Sequence, residues 1–198
     1  MSRRLALVID QERCIGSEAC TVACRIENRS RVPWIEVETQ RAPRKDTPEG
    51  SFPDVRMHFL PRLCQHCAKP LCTVACEFDA IVKRDDGPVV LVKELCTGCQ
   101  ACLEACPYEA IQFDPEGKKA QKCNLCVHRI DHGLEPFCVV CCEGQALHFG
   151  DLDDPDSAVS RIMSTRPTHQ LKPEAGTDPS VRYCPPNPPR GLLDDPSE

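Results

Sequence analysis

A chain of 198 residues with a formal charge of −6 carries 17 cysteines and 19 prolines, a single tryptophan, and aromatic residues at only 5%. The charge excludes a nucleic-acid backbone as natural partner, because phosphate binding calls for a basic face. So thin a stock of core-forming side chains calls for covalent or metal staples, which the cysteines can supply.

Leu5 to Asp10 reads as a short strand. The apolar run within it ends at Asp10 and is too short for a secretory signal. Ser2-Arg3-Arg4-Leu5 resembles the start of a twin-arginine signal without the apolar stretch that export needs, so no export signal of its own is expected. No window approaches the roughly 18 apolar residues that span a bilayer, and any membrane link is expected through a partner.

A first cysteine group follows at Cys14, Cys20 and Cys24. Ser30 to Pro61 is mostly a cysteine-free insertion, which Pro43, Pro48, Gly50 and Pro53 mark as loop. The second group is Cys64, Cys67, Cys72 and Cys76. Ala80 to Lys83 and Val89 to Val92 then flank Asp85-Asp86-Gly87-Pro88, the turn chemistry of a hairpin. The third group is Cys96, Cys99, Cys102 and Cys106; the fourth is Cys123, Cys126, Cys138 and Cys142, followed by a strand from Ala146 to Phe149. Helix is expected only for a turn or two after the third cysteine of a group. Beyond Asp151 the chain is polar and proline-rich, a tail expected to be disordered or laid over a partner.

Cys72-x3-Cys76-x3-Ala80-Ile81 recurs thirty residues later as Cys102-x3-Cys106-x3-Ala110-Ile111, with a fainter copy at Cys138, Cys142, Ala146 and Leu147. Repetition at this period indicates duplicated binding units. The third group, CTGCQACLEACP, has the C-x2-C-x2-C-x3-C-P spacing of bacterial ferredoxins. Three thiolates two residues apart wrap one iron–sulfur cubane, and the fourth is carried away to ligate another. A zinc ribbon would show two separate C-x2-C knuckles, and an odd cysteine count leaves a thiol over in any full disulfide scheme.

The second group is the same device with two extra residues before its third ligand, and the third group is its natural partner. The crossover rule assigns one cluster to Cys64, Cys67, Cys72 and Cys106, and another to Cys96, Cys99, Cys102 and Cys76. The fourth group, with eleven residues between its second and third ligands, then pairs with the first. That gives a cluster on Cys123, Cys126, Cys138 and Cys24, and one on Cys14, Cys20 and Cys142 with a further ligand. In register the missing ligand falls at Ser17. Ser17 could bind iron through oxygen, its lack of a thiol could leave a three-iron cluster, or water or another residue could complete a four-iron one. Hard oxygen suits such iron less well than thiolate, which favours the three-iron form. The expected complement is three 4Fe-4S clusters plus one that is 3Fe-4S or 4Fe-4S.

Other features have plainer readings. Cys141 is read as a small buried thiol and Cys184 as an incidental one. His66 and His128 sit among filled ligand positions and are expected behind the ligands or at the surface. Lys93, Lys118, Lys119 and Lys122 either offset cluster charge or form a solvated face. Trp34 is read as core, and Asp151, Asp153, Asp154 and Asp156 as a charged turn. No nucleophile–base pair, phosphate loop or acid–base pair is visible, so the chain is read as a conductor and not itself an enzyme.

The four groups in this order, carried by LVIDQERCIGSEACTVACRIEN, HFLPRLCQHCAKPLCTVAC, CTGCQACLEACPYEAI, KCNLCVHRIDHGLEPFCVVCC, LHFGDLDDPDS and LKPEAGTDPSVRY, resemble the four-cluster subunit of the dimethyl sulfoxide reductase family of molybdenum oxidoreductases. The likeness is strongest to its thiosulfate, polysulfide, tetrathionate and arsenate reductase branches. It implies an α+β fold of two interleaved bacterial-ferredoxin-like units: 1–60 as the first half of an outer unit plus insertion, 61–115 as the inner unit, 116–158 as the second outer half, and 159–198 as an extended tail. It also implies electron transfer between a molybdopterin-containing catalytic subunit and a quinone-reactive membrane anchor subunit. The complex would be membrane-associated, with this chain cytoplasmic or co-exported to the periplasm. Departures from the family pattern are Ser17, the extra Cys141, and Glu77 and Glu143 where proline often follows the fourth cysteine. A free-standing polyferredoxin is the alternative, disfavoured by the insertion and the partner-like tail.

Overall fold

The computed structural model describes residues 3–40, 47–53 and 55–186; Pro43 and the chain beyond Pro186 lie outside them. Strand β1, Leu5–Asp10, is buried at every position, as its unbroken apolar run requires of a strand covered on both faces. Helix α1, Ala19–Glu27, carries Cys20 and Cys24 of the first cysteine group on its buried face. Strands β2, Ile35–Gln40, and β3, His58–Leu63, pair antiparallel with Ile35 opposite Leu63. The insertion is thus a hairpin arm as well as a loop. Ile35 and Val37 alternate with exposed or half-buried Glu36 and Glu38, the period that sets one face of a strand on a core.

The middle of the chain is built from short pieces. Helix α2 is Leu71–Val74, strands β4 and β5 are Ile81–Lys83 and Val89–Leu91, helix α3 is Ala101–Glu104, and strands β6 and β7 are Ile111–Asp114 and Lys119–Lys122. β4 with β5 and β6 with β7 form antiparallel hairpins. At the first hairpin turn Gly87 has φ +117°, and a Cβ there would lie 2.8 Å from the Leu5 carbonyl oxygen. Glycine alone lets this turn press on β1, where the Leu5 amide donates to the Asp86 carbonyl at 2.8 Å.

Helices α4, Val127–Ile130, and α5, Phe137–Val140, lead to strand β8, Leu147–Asp151. β8 runs antiparallel to β1, joining the two ends of the cysteine-bearing region. The repeat has a local cause. Asp79, Glu109 and Gln145, each three residues past a fourth cysteine, take positive φ of 49°, 54° and 49°, and their amides fold back onto the carbonyls of Cys76, Cys106 and Cys142. The chain then turns through alanine into β4, β6 or β8.

The region read as an extended tail is built into the fold. Helix α6, Ala158–Thr165, is capped by Ser157, whose side chain accepts from the Ser160 amide. Strand β9, Arg182–Cys184, pairs parallel with β1, giving the sheet order β8-β1-β9. Val159, Val181, Tyr183 and Cys184 are fully buried, so as far as Pro186 the tail covers its own chain. Cys184 packs with Val8 and Val159, a core thiol where an incidental one was expected. The fold is α+β, with three core clusters among the described residues that gather around cysteines.

Candidate metal centres

Cys14, Ser17, Cys20 and Cys142 line one cavity, and Cys76, Cys96, Cys99 and Cys102 line another. Burial, then Cys14 and Cys142, pushes the Cys20 thiol up to about 11. Burial, then Cys96 and Cys76, pushes Cys102 up to about 11. Cys72 rises to about 12 through burial and through Cys64, Cys106 and Cys67. Burial holds Cys138 well above the usual thiol range, with Cys123, Cys126 and Cys24 adding to it. Cys24 rises to about 12 by burial and the nearby Cys126, and Asn28 Nδ2 lies 3.7 Å from both of their sulfurs.

Such thiols keep their protons at neutral pH and become ligands only when a metal centre displaces the proton. Buried sulfurs that raise one another's proton affinity are therefore a donor set relieved by a multiply charged cation. Among the described residues no three His, Cys, Asp or Glu side chains converge to hold a single metal ion. Two of the thiol sets instead line cavities, which fits a cluster of several irons better than one tetrahedral ion.

The first and third groups share a local backbone. Gly16 and Gly98 have φ of +70° and +80°, and Glu18 and Gln100, each two residues before a helical cysteine, are left-handed helix caps at 57° and 66°. Ser17 thereby occupies the place that Cys99 holds, and both are exposed. The Ser17 hydroxyl accepts only a long 3.5 Å bond from the Ala19 amide. Exposure divides the sets further. Cys99 is exposed and Cys14, Cys142, Cys76, Cys96 and Cys106 are half-buried, whereas Cys20, Cys102, Cys24, Cys123, Cys126, Cys138, Cys64, Cys67 and Cys72 are buried.

His66 is buried and accepts the Val89 amide on Nδ1 at 3.0 Å. Burial, then Lys122 and Lys83, holds it well below its usual range, so it is neutral. His128 sits at the surface, 2.9 Å from Glu27. Trp34 is core and donates to Gln121 at 3.1 Å. Asp151 and Asp154 accept amides in tight turns, in keeping with a charged turn. Cys141 is half-buried and does not line the cavity beside Cys142.

Lys122 departs from the solvated face suggested for its neighbours: it is 2% exposed and its Nζ lies 3.5 Å from Cys64 Sγ. Its place directly before Cys123 on a strand was the available signal. Asn28 and Thr177 carried none. Thr177 hydrogen-bonds Cys67 and pulls its thiol back against the larger effect of burial.

A family profile described as 4Fe-4S dicluster domain matches residues 55–152. The chain is 42% identical to a protein provisionally named as a dimethyl sulfoxide reductase iron–sulfur subunit, from Halobacterium salinarum, over 89% of this chain and 77% of that one. It is 41% identical to a tetrathionate reductase subunit of Salmonella typhimurium, over 91% and 72%. It is 33% identical to the arsenate respiratory reductase iron–sulfur subunit of a Shewanella species, over 91% and 95%. With iron–sulfur binding indicated by the thiols and these relatives spanning nearly the whole chain, the protein belongs to the iron–sulfur subunits of the dimethyl sulfoxide reductase family, which are electron-transfer rather than catalytic subunits of multi-subunit reductases.

Proposed function

We propose that this chain holds four iron–sulfur clusters in a row within two interleaved ferredoxin-like units, and passes electrons between a molybdopterin catalytic subunit and a quinone-reactive membrane subunit. The ligand sets are Cys14, Cys20 and Cys142 with Ser17 at the open position; Cys24, Cys123, Cys126 and Cys138; Cys64, Cys67, Cys72 and Cys106; and Cys76, Cys96, Cys99 and Cys102. The clusters would supply one-electron redox steps over a wide range of potential. The chain's own part is to space, bury and expose them.

The observation that carries this reading is the exposure of the thiols. Cys24, Cys123, Cys126 and Cys138 are all buried, and Cys64, Cys67 and Cys72 are buried with Cys106 half-buried, whereas each of the other two sets has a single buried thiol, Cys20 or Cys102. Cys64 of one largely buried set acts on Cys123 of the other, which supports placing these two in the middle of the row. A row of this kind has two ends open to partners and a middle shielded from water. At the Ser17 end the three-iron form is favoured, since a hydroxyl is a poor substitute for thiolate. No helix among the described residues is long and apolar enough to cross a membrane, so the membrane link is assigned to a partner.

Purifying the native complex tests the reading. The chain should co-elute with a molybdenum-containing subunit; elution as a lone 22.0 kDa species would favour a diffusible polyferredoxin instead.

A further inference from the structure

Lys122 ends β7 almost wholly buried. Its three ammonium donors are taken by Cys64 Sγ at 3.5 Å, the Cys123 carbonyl at 2.8 Å and the Val89 carbonyl. A lysine has three donors only when charged, and the geometry uses all three. Carbonyl dipoles alone leave a buried ammonium poorly balanced; thiolate charge balances it.

The acceptors come from both sides of one joint. Cys64 and Val89 belong to the part of the chain that carries the second group, while Cys123 opens the fourth. The ammonium thus touches a ligand thiol of one set and the backbone of the residue that opens the other. The other lysines near the cysteines are placed differently. Lys83 Nζ bonds the His66 and Gly87 carbonyls and lies within electrostatic reach of Cys67 and Cys64, all on the side of the second group, and Lys119 Nζ bonds the Lys93 carbonyl.

We propose that Lys122 is a positioning residue for electron transfer: a fixed cation at the joint between the two buried cysteine sets, raising the reduction potential of the cluster on either side and leaving the two terminal clusters unmoved. This rests on the four-cluster reading above. The direction follows from Coulomb's law, because a reduced cluster is one charge more negative and a nearby cation favours it, most strongly where water cannot screen the pair.

The test is redox titration of the full chain, purified anaerobically with its clusters, followed by electron paramagnetic resonance. In Lys122→Met two of the four midpoints should fall, each by at least a tenfold change in the reduced-to-oxidised ratio at fixed potential, about 59 mV for a one-electron couple. Lys122→Arg should restore them, and Lys119→Met on the same strand should leave all four in place. If Lys122→Met fails to retain iron, Lys122→Gln, which keeps a donor but no charge, should show the same two shifts. Midpoints that stay put, that all move together, or that fall equally in Lys122→Arg would overturn the proposal. Absence of any iron–sulfur signal in the unaltered chain would instead reject the four-cluster reading itself.

Discussion

The Tyr183 hydroxyl donates to the Pro61 carbonyl at 3.1 Å across 122 residues of sequence. The same hydroxyl accepts from Gln65 Nε2 at 3.1 Å, and the ring is fully buried. A residue from the proline-rich end of the chain thus locks the strand that leads into the second cysteine group. Tyr183→Phe leaves the Pro61 carbonyl without that donor and Gln65 without that acceptor, and should cost about 1–3 kcal/mol. Anaerobic denaturant unfolding should show a lower midpoint with an unchanged slope.

Gly98 carries the third group past β7. At φ +80°, a Cβ there would lie 2.2 Å from the Lys118 carbonyl oxygen, and a backbone atom cannot swing aside. Gly98→Ala combines that clash with a left-handed conformation costing about 1–3 kcal/mol for other residues. Iron should fall by about four per chain, the content of one cubane, with the other clusters kept. The matching Gly16 faces the Phe59 side chain, which can shift, so Gly16→Ala should be milder.

Crossed ligation makes a specific claim about Cys106. It lies in the third group by sequence, yet its thiol is raised by burial and by Cys64 of the second group. Cys106→Ser should therefore remove the same electron paramagnetic resonance component as Cys64→Ser. A match to Cys96→Ser would place Cys106 with its sequence neighbours and contradict the crossing.

Ser17 supplies a gain-of-ligand experiment. The cavity beside it already holds Cys14, Cys20 and Cys142, and the backbone there matches the one that presents Cys99. Ser17→Cys should raise iron from about 15 to about 16 per chain and abolish the three-iron signal of the oxidised protein. An unaltered chain lacking that signal would reject the three-iron form.

Much of this architecture was legible because it is local. Leu5–Asp10 showed itself as an apolar run, the β4–β5 hairpin by its Asp-Gly turn, and the duplicated units by Cys-x3-Cys-x3-Ala. What escaped notice depends on distant pairing. β9 is three residues among prolines whose partner, β1, lies far away in sequence and leaves no local period. The insertion arm did carry alternation at Ile35 and Val37, but the prolines and glycine that follow dominated it. Helix α6 had its cap at Ser157. Lys122 looked like any other lysine near Lys118 and Lys119, and its burial depends on β5 and the second cysteine group closing over it, which composition does not record.

Fifteen cysteines are assigned here to four clusters. Iron and acid-labile sulfide counted in the anaerobically purified full chain, with zinc measured alongside, test that assignment most directly. The protein should be brown, with about 15 irons per chain and no stoichiometric zinc. A colourless, zinc-loaded protein, or one that saturates at about 8 irons, the content of two cubanes, would contradict the assignment.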